Sequence, residues 1–181
     1  MNAYDFDGTI YKGDCFIDFY FFCLIRRPHL IIMLPFQLLF VLFTFYNRKL
    51  VKQSFAIYLL ILPSKIYLVK EFWNIHIGKI KKWYLAQRKD DDIIISASPR
   101  FILQEIVKRL HLKNLICTEM NMHTGFIKGK NCYGNEKVER FNSEYPSIKL
   151  KAFYSDSKSD LPMMNIAENG YLVKKNKITK I

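Results

Sequence analysis

Two carboxylates one residue apart, in Tyr4-Asp5-Phe6-Asp7-Gly8-Thr9-Ile10, are the first residues in the chain with the means to do chemistry. In a strand, residues i and i+2 project to one face, so a strand ending at Asp5 and turning at Gly8 can aim both acids at one point. A carboxylate can attack phosphorus and carry it as an aspartyl-phosphate, which is the role expected of Asp5. Asp7 would protonate the departing alcohol and then take a proton from the water that hydrolyses the intermediate. Gly8 allows the turn. On these residues alone, a short edge strand capped by an Asp-Gly turn is an equally good reading.

Later segments supply what two carboxylates lack. Ser96 follows the run Asp92-Ile93-Ile94-Ile95, and Ser155-Asp156-Ser157-Lys158-Ser159-Asp160 follows a strand-like stretch ending at Tyr154. Lys137 begins a helical stretch. A phosphate facing carboxylates needs positive charge, and Mg²⁺ supplies it through one or two carboxylates and several waters. Asp5 and Asp156 are the expected ligands, with a main-chain carbonyl at Asp7. Ser96 and the amide of Ala97 can donate to phosphoryl oxygens, and Lys137 adds a compact charge for the transition state. Asp160 can orient a metal-bound water or hold Lys137. Lys130 competes with Lys137 for its role, and Arg100 could touch substrate or simply solvate a helix start.

The elements that must position these residues read as α/β from Asp90 onward. Asp92–Ser96 is expected to be a buried parallel strand, Pro99–Leu110 a helix with Pro at its start, and Leu115–Thr118 a second strand. A hairpin is expected over 121–130, a short helix from Glu136, and a strand at Lys151–Tyr154. A helix over Leu161–Ala167 and a last strand at Tyr171–Val173 complete the set. Strands alternating with helices imply a parallel sheet, whose ligands bind beyond the carboxyl ends of the strands.

Residues 12–89 differ in composition from the rest and carry most of the excess positive charge. Their apolar runs, Phe16–Ile25, Leu30–Tyr46 and Phe55–Leu62, are too long for strands of about 5–6 residues and read as helices. Pro28, Pro35 and Pro63 should break or kink them. Leu30–Tyr46 spans roughly 25 Å as a helix, short of a hydrocarbon core of ~30 Å. A single crossing would also put Asp5 and its partners on opposite sides of a bilayer. A re-entrant or interfacial helical hairpin is therefore expected, with Arg26, Arg27, Arg48 and Lys49 among anionic head groups. The competing expectation is a soluble helical cap packed on itself. Lys65–Lys89 reads as one amphipathic helix with a basic face, its Trp83 and Tyr84 suited to an interface.

The chain has 181 residues, half of them hydrophobic, with fifteen Phe, eleven Tyr and a formal charge of +12. That charge favours polyanions: nucleic acid, an acidic membrane or phosphorylated substrates. No recognisable nucleic-acid module interleaves the basic residues. The four cysteines, Cys15, Cys23, Cys117 and Cys132, form no metal or disulfide pattern and read as thiols of a reducing compartment. A cleavable leader is not expected where the nucleophile stands at position 5.

Taken in order, Asp5-Phe6-Asp7-Gly8-Thr9, Ser96, Lys137, and Asp156 with Asp160 resemble the four motifs of the haloacid dehalogenase superfamily of phosphatases. The resemblance implies a Rossmann-like parallel sheet core from residues 1–11 and 90–181. It also implies an inserted helical cap, subclass IB with a C1 cap, at 12–89. Dehalogenases lack the second acid and ion-pumping ATPases place Lys-Thr-Gly there, so Asp7 points to phosphomonoester hydrolysis with Mg²⁺. Gly134-Asn135-Glu136-Lys137-Val138, Ser98-Pro99, and Tyr154 to Asp160 followed by Pro162 resemble the bacterial phosphatidylglycerophosphate phosphatases of the C type. Ala97 and Ser159 depart from relatives that carry Gly and Asn there, which bears on phosphate and leaving-group contacts.

The expectation is a phosphatase of an anionic membrane phospholipid at the cytoplasmic face of the bacterial inner membrane. A cytoplasmic phosphatase of a soluble metabolite such as phosphoserine shares every catalytic residue. A non-catalytic basic protein binding lipid or nucleic acid is the reading from another class.

Overall fold

The computed structural model describes every residue from Met1 to Ile181. The first strand, β1 (Asn2–Tyr4), is followed by five helices: α1 (Cys15–Arg26), α2 (Leu34–Thr44), α3 (Arg48–Ala56), α4 (Lys65–His76) and α5 (Lys82–Gln87). The chain then alternates through β2 (Ile93–Pro99), α6 (Arg100–Arg109), β3 (Asn114–Thr118), α7 (Asn135–Glu144), β4 (Ala152–Ser155) and α8 (Leu161–Ile166). It closes with β5 (Gly170–Lys174) and β6 (Lys177–Lys180).

The strands form one sheet in the order β3-β2-β1-β4-β5-β6. The pairs from β3 to β5 are all parallel, and β6 turns back antiparallel to β5. The chain leaves β1 for β2 and β3 on one side, then returns to β4 on the other, so the switch in strand order falls beside β1. Ligands of open α/β sheets collect at such a point, beyond the carboxyl ends of the strands.

The sheet is buried on both faces. One face carries a small cluster that includes Ala3, Ile93, Ile95, Phe153 and Met163. The other face continues into the helices: Tyr4, Phe6, Ile94 and Ile102 share one cluster with Phe19, Phe72 and Trp73. Trp73 Nε1 donates to the carbonyl of Ile102 at 2.8 Å, tying α4 to α6. The inner side of the helical segment is thus continuous with the sheet's own core.

Several sequence expectations need correction. Residues 65–89 form two helices, not one. A short 3-10 turn over Ile77–Lys79 is followed by an extended Ile80 that bridges Tyr11. The amides of Lys12 and Lys81 bond the carbonyls of Lys79 and Ile10, and this tertiary pairing outcompetes continued helix. Tyr84 is fully buried and Trp83 half-buried against Tyr4, so these rings are core side chains and do not face an interface.

Residues 30–46 are broken just before Pro35, as the prolines lead one to expect. A 3-10 stretch over Pro28–Met33 gives way to α2, with a proline in its first turn, as the position of Pro35 allows. The third apolar run, Phe55–Leu62, is not an α-helix: α3 starts at Arg48, where the side chain of Asn47 caps two amides, and ends at Ala56, and the run continues as a 3-10 stretch over Ile57–Leu60. The hairpin expected at 121–130 is reduced to a single bridge between Met120 and Ile127. β6 was not expected, and it makes the sheet mixed. Its two-residue turn, Lys175-Asn176, has Lys175 at φ 56°.

The surface of α2 is inverted. Its buried residues are the polar Gln37, 1 % exposed, and Thr44, while six large apolar side chains face outward, among them Leu42 at 69 % and Phe43 at 72 %. Gln37 accepts from the Tyr20 hydroxyl at 2.5 Å and donates to the carbonyl of Phe55 at 3.1 Å. Thr44 bonds the Phe40 carbonyl and lies 3.3 Å from Ser54 Oγ. No single helix is long and apolar enough to cross a membrane; α1 and the Pro28–Thr44 stretch pass by length and composition only as a pair bent by 119°.

Candidate active site

A cavity of about 1010 Å³ lies beyond the carboxyl ends of β1, β2 and β4 and extends beneath α1 and α3. Asp5, Asp7, Ser96, Ala97, Lys137, Asp156 and Asp160 all line it, so the structure brings every sequence-expected site residue together.

β1 ends at Tyr4, but the amide of Asp5 still donates to the Tyr154 carbonyl at 2.8 Å, which fixes its position relative to β4. The turn that follows is closed by the Ile10 and Tyr11 amides on the Phe6 carbonyl and by the Gly8 amide on Gly13. Gly8 sits at φ 70°, a left-handed conformation that favours glycine. Lys81 donates to the Gly8 carbonyl and, at 2.8 Å, to that of Lys175.

Lys137 is buried between two carboxylates. Its Nζ lies 2.8 Å from Asp5 Oδ1 and 2.7 Å from Asp160 Oδ2, and Ser155 Oγ donates to that same Asp160 oxygen at 2.7 Å. Of the two roles open to Asp160, holding Lys137 is therefore the observed one. Its other oxygen is buried and accepts no hydrogen bond. The competing Lys130 is exposed and pairs with Glu136 and Glu139, so it takes no part. Arg100 does not line the cavity; it pairs with Glu119 at 2.5 Å.

Asp7 is held from two sides. The amide of Cys15, in the first turn of α1, donates to it at 2.7 Å, and Ser98 Oγ donates at 2.5 Å. Ser98 also donates its amide to Ser96 Oγ at 3.0 Å, where the pairing of β2 with β3 shifts register between Ser96 and Pro99. Ser98 was passed over as a site residue in the sequence, although it lies two positions from Ser96 and so on the same strand face.

Burial pushes both acids up, Asp5 to about 7 and Asp7 to about 6. Lys137 works against the shift at Asp5, and the charge of Asp14 adds to it at Asp7. The two opposing carboxylates hold Lys137 charged despite its burial.

The donor set fits a hard divalent cation. Thr9 Oγ1 lies 3.5 Å from Asp5 Oδ2 and 3.4 Å from Asp156 Oδ1, so the two carboxylates converge on one hydroxyl. The Asp156 amide donates back to Thr9 at 2.9 Å. No three His, Cys, Asp or Glu side chains are grouped as a metal cluster. Two carboxylates and a main-chain carbonyl are the kind of sparse set that Mg²⁺ accepts while keeping its waters.

Two cations from α3 also line the cavity: Lys52, which nothing in the local sequence marks, and Arg48, which the sequence places among head groups. Lys52 Nζ donates to the Ala97 carbonyl at 2.8 Å, and burial pushes its ammonium group down while Asp7 and Asp14 push it back up. The Arg48 guanidinium lies over the Tyr133 ring at 4.5 Å.

The sequence profile of the haloacid dehalogenase-like hydrolases matches residues 3–165. The chain belongs to that family. As a haloacid dehalogenase-like hydrolase it is an enzyme whose four motifs meet in one cavity. It is 33% identical over 92 residues to Protein CicA of Caulobacter vibrioides, a match covering 47% of this chain and 41% of that protein. The match thus spans less than half the length of that relative.

Among solved structures, a protein of unknown function from Bordetella pertussis Tohama I aligns with a TM-score of 0.68 at 18% identity, over 94% of this chain and 87% of that one. A phosphoserine phosphohydrolase-like protein from Francisella tularensis aligns at 0.56 and 17% identity, over 94% and 86%. A phosphoserine phosphatase in its apo form aligns at 0.55 and 14% identity, over 93% and 82%. At these identities the likeness is one of fold. The mixed α/β architecture with a largely parallel sheet is shared with them.

Proposed function

We propose that this hydrolase is a Mg²⁺-dependent phosphatase of an anionic membrane phospholipid, with phosphatidylglycerophosphate as its substrate. It would work at the cytoplasmic face of a bacterial membrane. In the first step an Asp5 oxygen attacks phosphorus, the bond from phosphorus to the alcohol breaks, and Asp7 gives its proton to the departing oxygen. In the second, water attacks the aspartyl-phosphate and gives a proton to Asp7, the bond to Asp5 breaks, and phosphate leaves. The raised Asp7 holds a larger protonated fraction near neutrality than an ordinary carboxyl, as the first step needs. Lys137 offsets charge on Asp5 and the phosphoryl group. Held by Asp5, Asp156 and the Asp7 carbonyl, Mg²⁺ would neutralise the phosphoryl oxygens.

The observation that carries the lipid reading is the inverted α2 beside the cavity mouth. Ile17, Phe21 and Phe45 line the cavity and are themselves at least half exposed, Phe45 at 75 %. The cavity therefore opens onto the same apolar surface that α2 extends. Burying one large apolar side chain is worth about 1.5–3 kcal/mol, and water offers no such gain to the outward residues of α2. A helix with its polar groups satisfied inward and its apolar groups outward suits the hydrocarbon boundary of a bilayer. Acyl chains would stay in the membrane while the head group enters the cavity.

The test is a Leu39→Glu/Phe43→Glu double variant, compared with the parent in vesicle flotation and in turnover of lipid and of p-nitrophenyl phosphate. Both positions are more than half exposed, so the fold should persist. The expected result is loss of flotation and a fall in lipid turnover at least tenfold greater than that for the aryl ester. Equal turnover of the lipid by both proteins would return the helical segment to the role of a soluble lid.

A further inference from the structure

Three cations line the cavity: Lys137, Arg48 and Lys52. Lys137 spends two of its three donors on Asp5 and Asp160 at the catalytic end. The other two are free of carboxylate partners. Lys52 spends one of its three donors on a carbonyl, and Arg48 presents a face to Tyr133 with none of its five donors hydrogen-bonded. They stand four residues apart on α3, about 6 Å along one side of the helix.

Asp7 and Asp14 line the same cavity and act on Lys52 without pairing with it, and Arg48 is solvent-exposed, so both cations keep donors available to an incoming anion. The scissile phosphoryl group already has Lys137, and a metal ion in the proposed mechanism. From the disposition of these side chains we infer that Arg48 and Lys52 form a second anion site, one that binds a non-scissile charged group of the substrate. Lys52, at the Ala97 carbonyl, borders the phosphoryl loop, and Arg48 lies one turn further out. The planar fork of Arg48, whose guanidinium carbon lies 4.5 Å from the Tyr133 ring centre, suits two oxygens of one anion.

This inference deepens the proposed lipid phosphatase and rests on that reading for the identity of the anion, a phosphodiester three carbons from the phosphomonoester. The site itself requires only two anions on one substrate. Phosphatidic acid carries the monoester alone, whereas phosphatidylglycerophosphate carries both groups. Glycerol 1-phosphate and glycerophosphoglycerophosphate are the corresponding pair without acyl chains.

The experiment measures kcat/KM for these four compounds and for phosphoserine with the parent chain, Arg48→Met, Lys52→Met and Arg48→Lys. The expected result is that Arg48→Met and Lys52→Met each lower the preference for the two-anion member of a pair by about 10–100-fold, mainly through KM, the size of a lost charge-assisted hydrogen bond. Arg48→Lys should recover part of that preference. The same loss of preference in the soluble pair, with neither lipid turned over, would support the anion site and defeat the lipid reading. Turnover of both lipids with their ratio unchanged in the variants would overturn the anion site and leave the lipid reading standing. An Arg48 dependence confined to phosphoserine would overturn the phosphodiester assignment in favour of a carboxylate.

Discussion

Gly8 and Asp156 are packed so closely that a Cβ on residue 8 would stand 2.1 Å from Asp156 Oδ2 and 2.5 Å from its Cγ. The turn after the nucleophile therefore depends on glycine twice, for its φ of 70° and for this approach. Gly8→Ala must displace the Asp156 carboxylate or distort the turn. Activity is expected to fall at least a hundredfold, with Mg²⁺ dependence shifted to higher concentration. Titration of turnover with Mg²⁺ checks this, and an unchanged half-saturating concentration would contradict it.

The two bonds on Asp7 aim it from α1 and from the end of β2 at once. Asp7→Asn removes the acid and keeps the shape, so the loss should scale with how much the leaving group needs a proton. A fall of about 10²–10⁴-fold is expected for an alkyl phosphate, the usual worth of general acid catalysis. The fall for p-nitrophenyl phosphate, whose leaving group departs readily as an anion, should be at least tenfold smaller. Equal losses on both esters would remove Asp7 from the role of acid.

Lys137 is the sole cation paired with Asp5 and Asp160. Lys137→Met would leave two buried carboxylates uncompensated, a loss of about 3–5 kcal/mol for a broken buried pair. For a chain of this size that corresponds to a fall in Tm of roughly 10 °C. Adding Asp160→Asn should restore part of it. A fall of under about 2 °C by calorimetry would mean that the cluster matters less to the fold than its geometry implies.

Folded Asp5 and Asp7 hold their protons more tightly than the ordinary value of 3.8, at about 7 and about 6. Their contribution to stability is fully present below about pH 4 and is lost as pH rises through 6 to 7. Metal-free protein should thus lose Tm across that window, apart from the titration of other groups. A bound divalent cation favours the ionised carboxylates, so added Mg²⁺ should stabilise more at pH 8 than at pH 5. At saturation the gain at pH 8 is expected to be roughly 5–10 °C. A Mg²⁺ effect that shrinks with rising pH would contradict the donor set.

The sheet core is legible because Ser96 ends an isoleucine run while Asp5 and Asp156 each follow a short stretch ending in or near a tyrosine, and placement at strand ends sends all three to one edge. β6 was missed because Lys177-Ile178-Thr179-Lys180 has too few apolar residues to stand out from a basic tail. The break at Ile80 was missed for a different reason: it is set by backbone pairing with Ile10 and Lys12, far away in sequence. Burial of Trp83 and Tyr84 likewise depends on Tyr4 and Tyr154, which no local periodicity reveals. Within the site, Lys52 carries no sequence signal, and Arg48 reads from sequence as a head-group contact and not as a cavity residue, because helix α3 reaches the cavity only through tertiary packing.

The most direct measurement is phosphate release by the parent chain from phosphatidylglycerophosphate in mixed micelles and from phosphoserine in buffer, with Mg²⁺ and with chelator. Asp5→Asn serves as the blank. The account predicts Mg²⁺-dependent turnover of the lipid, at least a hundredfold faster than that of phosphoserine, and none with Asp5→Asn. Turnover of phosphoserine alone would contradict the membrane reading of residues 30–46, and equal release by Asp5→Asn would contradict the catalytic site itself.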